Sequence, residues 1–321
     1  MAKSDFYDII DMNNITVSIP NSSHFSLGTS PYYAHQHGLA IDIYQDLSLE
    51  NYHVLSPVSG KVIKTKTMVA PKPKFKDGIN KEYLTLICNS HHPKIIFKIL
   101  HVKPNIREGE QIEKGDLIGS TIRNGYFAYW SSPHLHLEIR PYNDAIRARG
   151  GKVFSLLIKD NQSTNKESIK NKLKQITLKI EKAFPEFFLA YLPEAFYYKI
   201  NPICGVKINI NGLNCILDGG IPQYKNGLVV FPHEDLLTSS NSIYFNNYKI
   251  GTLGNIRGKF GFFKFDRIKF LLNNEEIRGL SLYLAKFLPL LKIIPYKKSQ
   301  FHIKSNSVQN LSIIPDELNN N

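Results

Sequence analysis

The pattern of hydrophobic and polar positions divides the chain into two regions. Up to about residue 150, short apolar stretches, several with two-residue alternation, are separated by turns rich in Gly, Pro, Asn and Ser. This pattern predicts many short strands and almost no helix, as in a compact antiparallel sandwich or barrel. The predicted fold class is mainly β: an antiparallel β-sandwich or barrel-like core, followed by a helix and a second, strand-rich α+β domain.

The second region begins at Gly150-Gly151 and a polar run. Residues 164–167 fit a capping box, and apolar residues at helical spacing then predict a helix that ends before Pro185: Ile169, Leu173, Ile176 and Ile180. From Val206 the strand pattern returns, and residues 278–288 are predicted to form a further helix. The predicted segments are a first domain (1–150), a linker and helical segment (151–203), a strand-rich C-terminal domain (204–305) and a frayed tail (306–321).

One strand of the first region carries residues suited to chemistry. Residues 131–140 read Ser-Ser-Pro-His-Leu-His-Leu-Glu-Ile-Arg, and alternation places His134, His136 and Glu138 on one face. The two imidazoles are then about 7 Å apart, the two-residue repeat of a strand. Because neutral imidazole binds zinc and titrates near neutrality, they can serve as a metal ligand and a catalytic partner. For an isolated His-x-His, a solvated polar face is the alternative.

Three residues upstream favour the metal interpretation. Asp42 lies within the apolar strand 39–44, where a carboxylate is costly unless it is paired or bound to a metal. His37, at the start of that strand, is the natural second ligand, and His101 ends another apolar strand. Catalytic zinc requires three nitrogen or oxygen ligands and an open position. The first domain supplies these without Cys, and the absence of a His-Glu-x-x-His helix excludes the thermolysin-type arrangement.

Composition and charge restrict the class of protein. Hydrophobic residues make up 42% and charged residues 21% of the chain, values typical of a soluble globular protein. Neither a signal-peptide-like start nor a span of roughly 20 apolar residues is visible, so we expect a cytoplasmic location. The net charge of +13 is unevenly distributed. Residues 1–150 hold 17 Lys/Arg and 14 Asp/Glu, a net charge of +3, and the rest of the chain carries +10. A basic second domain can favour an anionic partner, but its lysines are dispersed and no nucleic-acid motif is present, so a solvated surface is the preferred interpretation.

Several segments of the first region resemble one known family. The segment His37-Gly38-Leu39-Ala40-Ile41-Asp42, the triplet Leu100-His101-Val102 and the stretch 132–140 occur in the order found in lysostaphin-type zinc metallopeptidases, family 23 of the metallopeptidases, which have a duplicated hybrid motif. The segments 56–62 and 102–119 are similar to that family's intervening stretches. The resemblance covers about residues 30–142 and none of the second domain.

The resemblance implies a function and a set of site residues. His37, Asp42 and His136 would bind one Zn²⁺ per chain, with a water in the fourth position. His101 and His134 would flank that water as catalytic residues. The chain would then be a zinc metalloendopeptidase acting on a peptide or peptidoglycan-like substrate, such as a glycine-rich or D-amino-acid cross-link.

The sequence departs from the family's pattern at two positions. Four residues separate His37 from Asp42, where the family has three, and His35 is a fallback ligand that lies still farther away. The loop from Thr67 to Lys81 is also longer than a compact member needs, and it is a candidate border of the cleft.

Two other functions are compatible with the first region. The domain can be an inactive family scaffold that binds a partner, although all five positions keep metal-capable side chains. It can also be a carrier module, because the segment 102–119 resembles biotinyl- or lipoyl-type motifs. A carrier needs a lysine in a specific setting at a hairpin tip, and no such lysine motif is present.

Overall fold

The structure is a computed structural model that describes residues 5–12, 15–159, 173–233 and 240–315. As the sequence pattern predicted, the fold is mainly β, with 52% of residues in strands and 4% in helices. The chain divides into two compact units. Residues up to 157, apart from 28–31, form the first unit, and residues 28–31 together with those from 158 onward form the second.

The first unit contains twelve strands and one short α-helix among its described residues. They are β1 (Phe6–Met12), β2 (Ile15–Pro20), β3 (His24–Ser26), α1 (Tyr33–Gln36), β4 (Ile41–Tyr44), β5 (His53–Leu55), β6 (Gly60–Val69), β7 (Lys81–Asn89), β8 (Ile95–Leu100), β9 (Val102–Pro104), β10 (Gln111–Ile112), β11 (Leu117–Thr121) and β12 (Leu135–Pro141). A 3₁₀ turn, Tyr142–Asp144, follows β12.

The main sheet of the first unit is antiparallel, in the order β3-β4-β12-β8-β7-β6-β10. Strand β12 therefore lies between β4 and β8. Its residue His136 pairs with Asp42 on one side and with Leu100 on the other. Because cross-strand partners on one face lie about 4.5–5.5 Å apart, this register brings the histidine strand and the buried carboxylate together. Strands β5, β11 and β9 form a smaller sheet, and β1 and β2 a hairpin.

The second unit is also built from antiparallel strands. They are β13 (Ile176–Ala183), β14 (Phe188–Tyr191), β15 (Tyr197–Ile200), β16 (Ile203–Ile210), β17 (Leu213–Ile221), β18 (Asn226–Val230), β19 (Ser242–Phe245), β20 (Tyr248–Arg257), β21 (Phe260–Phe265), β22 (Ile268–Leu272), β23 (Glu275–Ile277), β24 (Gly279–Leu282), β25 (Leu284–Ala285), β26 (Leu291–Ile294) and β27 (Val308–Pro315). A 3₁₀ turn covers Glu194–Phe196. No helix in the described ranges is long and apolar enough to cross a membrane.

The helix predicted after the linker is wrong where the structure describes it. Strand β13 covers residues 176–183, and Ile176, Leu178 and Ile180 are buried while their neighbours Thr177 and Lys179 are exposed. A spacing of four residues fits one helical face, but it is also twice the two-residue period of a strand. The intervening Leu178 distinguishes the two patterns. The capping-box segment 164–167 lies outside the described residues.

Two further expectations for the second unit are also wrong. The predicted helix at 278–288 is occupied by β24 and β25, which are buried along their whole length. A continuous apolar run does not distinguish a buried strand from a buried helix. The tail expected to fray after residue 306 instead contains β27, which pairs with β13 and β22 and buries Leu311 and Ile313.

Candidate metal centre

The histidine strand is buried, in contrast to the alternative of a solvated polar face. Of the predicted group, His136 is 7% exposed and Glu138 is 2% exposed. Their position on β12, covered on both edges by β4 and β8, removes them from water. Buried groups of this kind require hydrogen bonds, charge partners or a metal.

Three ligand atoms converge beside β12. His35 Nε2 lies 3.2 Å from Asp42 Oδ1 and 3.2 Å from His136 Nδ1, and His136 Nδ1 lies 2.9 Å from Asp42 Oδ1. These residues form a group that could hold a metal ion. A tetrahedral zinc with ligands at about 2.0–2.1 Å requires ligand-to-ligand distances of about 3.3 Å. The group therefore fits zinc with little movement, and three protein ligands leave one position open.

A hydrogen bond to the other ring nitrogen fixes the tautomer of both His35 and His136 for metal binding. His35 Nδ1–H donates to the carbonyl of Leu27 at 2.9 Å, and His136 Nε2–H donates to Glu138 Oε1 at 3.3 Å. The nitrogens that face Asp42 are therefore the ones left to bind a metal. Such outer contacts fix ring orientation in metal sites.

The structure places His35, and not His37, in this group. Both histidines lie on or at the end of α1, but successive helical residues turn by about 100°, so residues two apart point to opposite sides. His35 is buried, whereas the ring of His37 stacks on Tyr33 at 4.0 Å and its Nδ1–H donates to the Tyr33 carbonyl at 2.8 Å. The fallback His35 therefore lies in the group, because the turn of α1 directs its ring inward, whereas the expected ligand His37, at the C-terminal end of α1, points away from it.

The electrostatics of the group favour a positive charge. Burial raises the pKa of Asp42, but the adjacent His134 and His35 outweigh this and hold its pKa well below the usual range. Burial lowers the pKa of His136, but hydrogen bonds to Asp42 and Glu138 outweigh it and raise the pKa to about 9. In the absence of a metal, the negative charges of Asp42 and Glu138 keep His136 protonated. A cation can replace that proton.

His134 lies beside the group, immediately before β12. Its Nε2 lies 3.4 Å from Asp42 Oδ2, and its Nδ1–H donates to the Ser132 carbonyl at 2.9 Å. Burial lowers the pKa of His134 to about 4, although Asp42 opposes the shift. The imidazole is therefore neutral at pH 7, with an unprotonated Nε2. A neutral imidazole in this position can accept a proton.

The imidazole of His101 lies close to those of His134 and His136. Its ring centroid is 5.3 Å from that of His134 and 5.7 Å from that of His136. Its Nδ1–H donates to Glu82 Oε2 at 2.6 Å, and its backbone N–H donates to Glu82 Oε1 at 2.9 Å. Burial opposes ionisation of Glu82, but the contacts with His101 lower the pKa of Glu82 to about 2. His101 is thus held beside a carboxylate.

The backbone at His101 is in a left-handed conformation, with φ of 66°. Non-glycine residues rarely adopt this region, which costs of order 1–3 kcal/mol and concentrates at functional sites. The conformation separates β8 from β9. Sequence reasoning missed Glu82, although strand pairing gives a signal: Leu84 pairs with Leu100, so Glu82 falls near His101.

Of the five residues predicted for the site, the structure brings four together, and the fifth, His37, lies outside the group. The four are Asp42, His101, His134 and His136. Glu138, singled out only for its position on the strand face, contacts His136, Lys98 and Arg140.

Residues 14–156 match the profile of a family described as "Domain of unknown function (DUF8155) N-terminal domain". The matched region covers less than half of the chain and contains the whole candidate metal centre. No curated protein matches the chain.

The similar solved structures are metallopeptidases. Lysostaphin from Staphylococcus simulans, described as an antimicrobial peptidase, is 13% identical with a TM-score of 0.27, over 70% of this chain and 93% of that one. A solution structure of lysostaphin is 16% identical with a TM-score of 0.26, over 58% and 83%. Pseudoalterin, an M23 metalloprotease from the deep sea, is 10% identical with a TM-score of 0.27, over 41% and 73%. At these TM-scores the likeness carries no argument for this chain.

Proposed function

We propose that the first unit is a zinc-dependent hydrolase that cleaves peptide bonds, with His35, Asp42 and His136 as the metal ligands. The carrying observation is the convergence of His35 Nε2, Asp42 Oδ1 and His136 Nδ1 within 2.9–3.2 Å of one another. Two imidazoles and one carboxylate form a donor set that suits catalytic zinc. The proposal also draws on the resemblance of residues 30–142 to lysostaphin-type peptidases.

Bound zinc would supply a Lewis acid and lower the pKa of a coordinated water to about 7. His134 would act as the general base. It is neutral at pH 7, and the Ser132 carbonyl fixes its tautomer so that Nε2 faces the group. General bases of this kind typically contribute about 10²–10⁴-fold to the rate.

His101 would act as the second catalytic imidazole. Glu82 accepts from its Nδ1–H, which leaves the lone pair of Nε2 to accept a hydrogen bond from the attacking water and orient it. Asn124 Nδ2–H donates to Glu82 Oε2 at 2.9 Å and keeps that carboxylate in place.

The substrate class we propose is a peptide, including peptidoglycan-like peptides with glycine or D-amino acids. A binding module that keeps the scaffold without catalysis is the second candidate. Among the residues that the structure describes, the three ligands of the metal group all belong to the first unit. Zinc content and cleavage distinguish the two.

The zinc test uses two histidines on one helix as a matched pair. The purified protein, and the variants His35→Ala and His37→Ala, are loaded with zinc, freed of excess metal and analysed by inductively coupled plasma mass spectrometry. We expect about one zinc per chain in the unmodified protein and in His37→Ala, and strongly reduced zinc in His35→Ala. Near-zero zinc in the unmodified protein would falsify the enzyme proposal, and loss only in His37→Ala would restore the ligand expected from sequence.

Cleavage is then tested with a panel of glycyl and D-Ala-containing peptides. His101→Ala should keep its zinc and lose at least about 100-fold in kcat, because it removes a catalytic imidazole but no ligand. If zinc and activity are lost together, His101 is a ligand. If zinc binds and no peptide in the panel is cut, the binding-module function is favoured.

A further inference from the structure

The loop that leads into β7 encloses an open groove of about 1020 Å³. The metal-centre proposal makes no use of this groove. Its lining includes four lysines and two aromatic residues: Lys72, Lys76, Lys81, Lys103, Phe75 and Tyr83. The sequence had already indicated this loop as unusually long.

The groove has a fixed wall, because the loop is bonded to its surroundings. The backbone N–H of Ala70 donates to the Asn80 carbonyl at 3.0 Å, and that of Ile79 donates to the Arg123 carbonyl at 3.0 Å. The Arg123 guanidinium lies 4.3 Å from the centroid of the Phe75 ring. Compact loops of this kind, whose ends lie close together, are frequently functional.

The charge in the groove is of one sign. No acidic residue lines it, and its four lysines form no ion pair with a carboxylate of the described residues. Residues 64–81 contain six lysines and one aspartate, so the positive charge of the first unit is concentrated here. A one-sign groove attracts ligands of opposite charge, and their carboxylates reduce the repulsion between the lysines.

The groove and the candidate metal centre share two strands. Lys81 and Tyr83 immediately flank Glu82, the residue that holds His101, and Lys103 follows His101 by two residues. Each of these lysines and Tyr83 lies one or two residues, about 3–7 Å along its own strand, from Glu82 or His101. Because side chains alternate along a strand, Lys81 and Tyr83 lie on the other face of β7 from Glu82. A peptide seated in the groove therefore has to pass the end of β7, where Lys81 begins the strand, to reach His101.

We propose that this groove binds a carboxylate-rich segment of a peptide, a few residues from the bond that is cut. The second part rests on the proposed peptidase function, whereas peptide binding does not. The shared strands favour a peptide over a nucleic acid, since they connect the groove to the site proposed to cut peptides. Phe75 and Tyr83 offer apolar surface to the backbone of such a peptide.

The test measures binding by fluorescence anisotropy in 50 mM salt. The probes are fluorescein-labelled Gly-Glu-Gly-Glu-Gly, the same peptide with Gln in place of Glu, and a single-stranded oligonucleotide. The zinc-site variant His136→Ala serves as the protein, so that binding is measured without cleavage. The groove variant combines Lys72→Ser, Lys76→Ser and Lys103→Ser, and the control combines Lys61→Ser, Lys66→Ser and Lys74→Ser, lysines outside the groove lining.

We expect the Glu peptide to bind about tenfold more tightly than the Gln peptide, and the groove variant to lose about tenfold while the control stays within twofold. Equal binding of the two peptides, or an equal loss in the control, overturns the proposal. Tighter, groove-dependent binding of the oligonucleotide overturns it in favour of a nucleic acid. If Glu-peptide binding persists but the unmodified protein holds no zinc, the peptidase proposal fails and the groove proposal stands.

Discussion

The buried ion network behind the metal group gives the sharpest prediction for mutagenesis. Glu138 accepts from Lys98 Nζ at 2.9 Å with Oε1 and from an Arg140 guanidinium nitrogen at 3.0 Å with Oε2. The side chains of Lys98, Glu138 and Arg140 are 6%, 3% and 0% exposed. Replacing Glu138 with Ala therefore leaves two buried cations without their shared carboxylate.

The two cations are not affected equally. Arg140 keeps contacts to Asp144 Oδ2 at 3.2 Å and to the carbonyls of Asp144, Arg149 and Gly150. Among the described residues, Lys98 keeps only the Arg147 carbonyl, at 3.2 Å. The main cost is thus the unpaired Lys98. Removing one partner of a buried pair costs about 3–5 kcal/mol. At about 2–4 °C per kcal/mol, the melting temperature of the first unit should fall by roughly 6–20 °C.

The assay is differential scanning calorimetry of the metal-free protein, with urea unfolding as the second measurement. Lys98→Met should cost less than Glu138→Ala, because Glu138 would keep Arg140 and His136 as partners. The double variant Glu138→Ala/Lys98→Met should recover part of the loss, since it removes both charges. If Glu138→Ala costs less than about 1 kcal/mol, or if the double variant is no more stable than Glu138→Ala, then the network does not hold the strand as argued.

Three further predictions concern metal, pH and backbone. Chelation of zinc should lower the melting temperature of the first unit by about 5–10 °C in the unmodified protein and in His37→Ala, with no shift in His35→Ala; a shift in His35→Ala contradicts the ligand set. Burial, opposed by Asp46, lowers the pKa of His24 to about 4. Between pH 6.5 and pH 4, His24 is therefore protonated in the unfolded chain and neutral in the folded chain. The free energy of unfolding falls as the pH decreases through this range. Between pH 7 and pH 5, the free energy of unfolding in urea should decrease by up to about 2 kcal/mol less in His24→Gln than in the unmodified protein. Equal decreases in the two proteins contradict a lowered pKa of His24. Gly119 has φ of 153°, and a Cβ there would collide with the Lys103 carbonyl. Gly119→Ala should therefore lower the free energy of unfolding in urea by at least about 2 kcal/mol. Gly109→Ala, whose Cβ would meet no atom within 4 Å, should lower it by less.

The strand content of the chain could be predicted from sequence because alternation is a local property. The strand predicted over residues 39–44 contains β4, and the histidine strand predicted at 131–140 corresponds to β12. The same local signals gave the wrong element for Ile176–Ala183, where a four-residue spacing satisfied two periodicities. Which periodicity applies depends on the neighbouring strands, and those come from distant parts of the chain.

The residue types of the candidate site were also visible in the sequence. A carboxylate within an apolar strand, and two histidines on one strand face, indicate that Asp42, His134 and His136 need partners. No local pattern identifies those partners. Register decides them: His136 pairs with Asp42 across β12 and β4, which are separated by about ninety residues in sequence.

The choice between His35 and His37 shows most clearly what the sequence determines and what the tertiary structure decides. The sequence by itself determined that a histidine before β4 is available, because both residues stand within eight positions of Asp42. Only the tertiary structure decided which one. A single turn of helix points His35 towards β12 and His37 towards Tyr33, and the carbonyl of Leu27 fixes the ring that faces inward. Side-chain direction depends on how the chain turns in space, whereas residue type and period depend on the sequence alone.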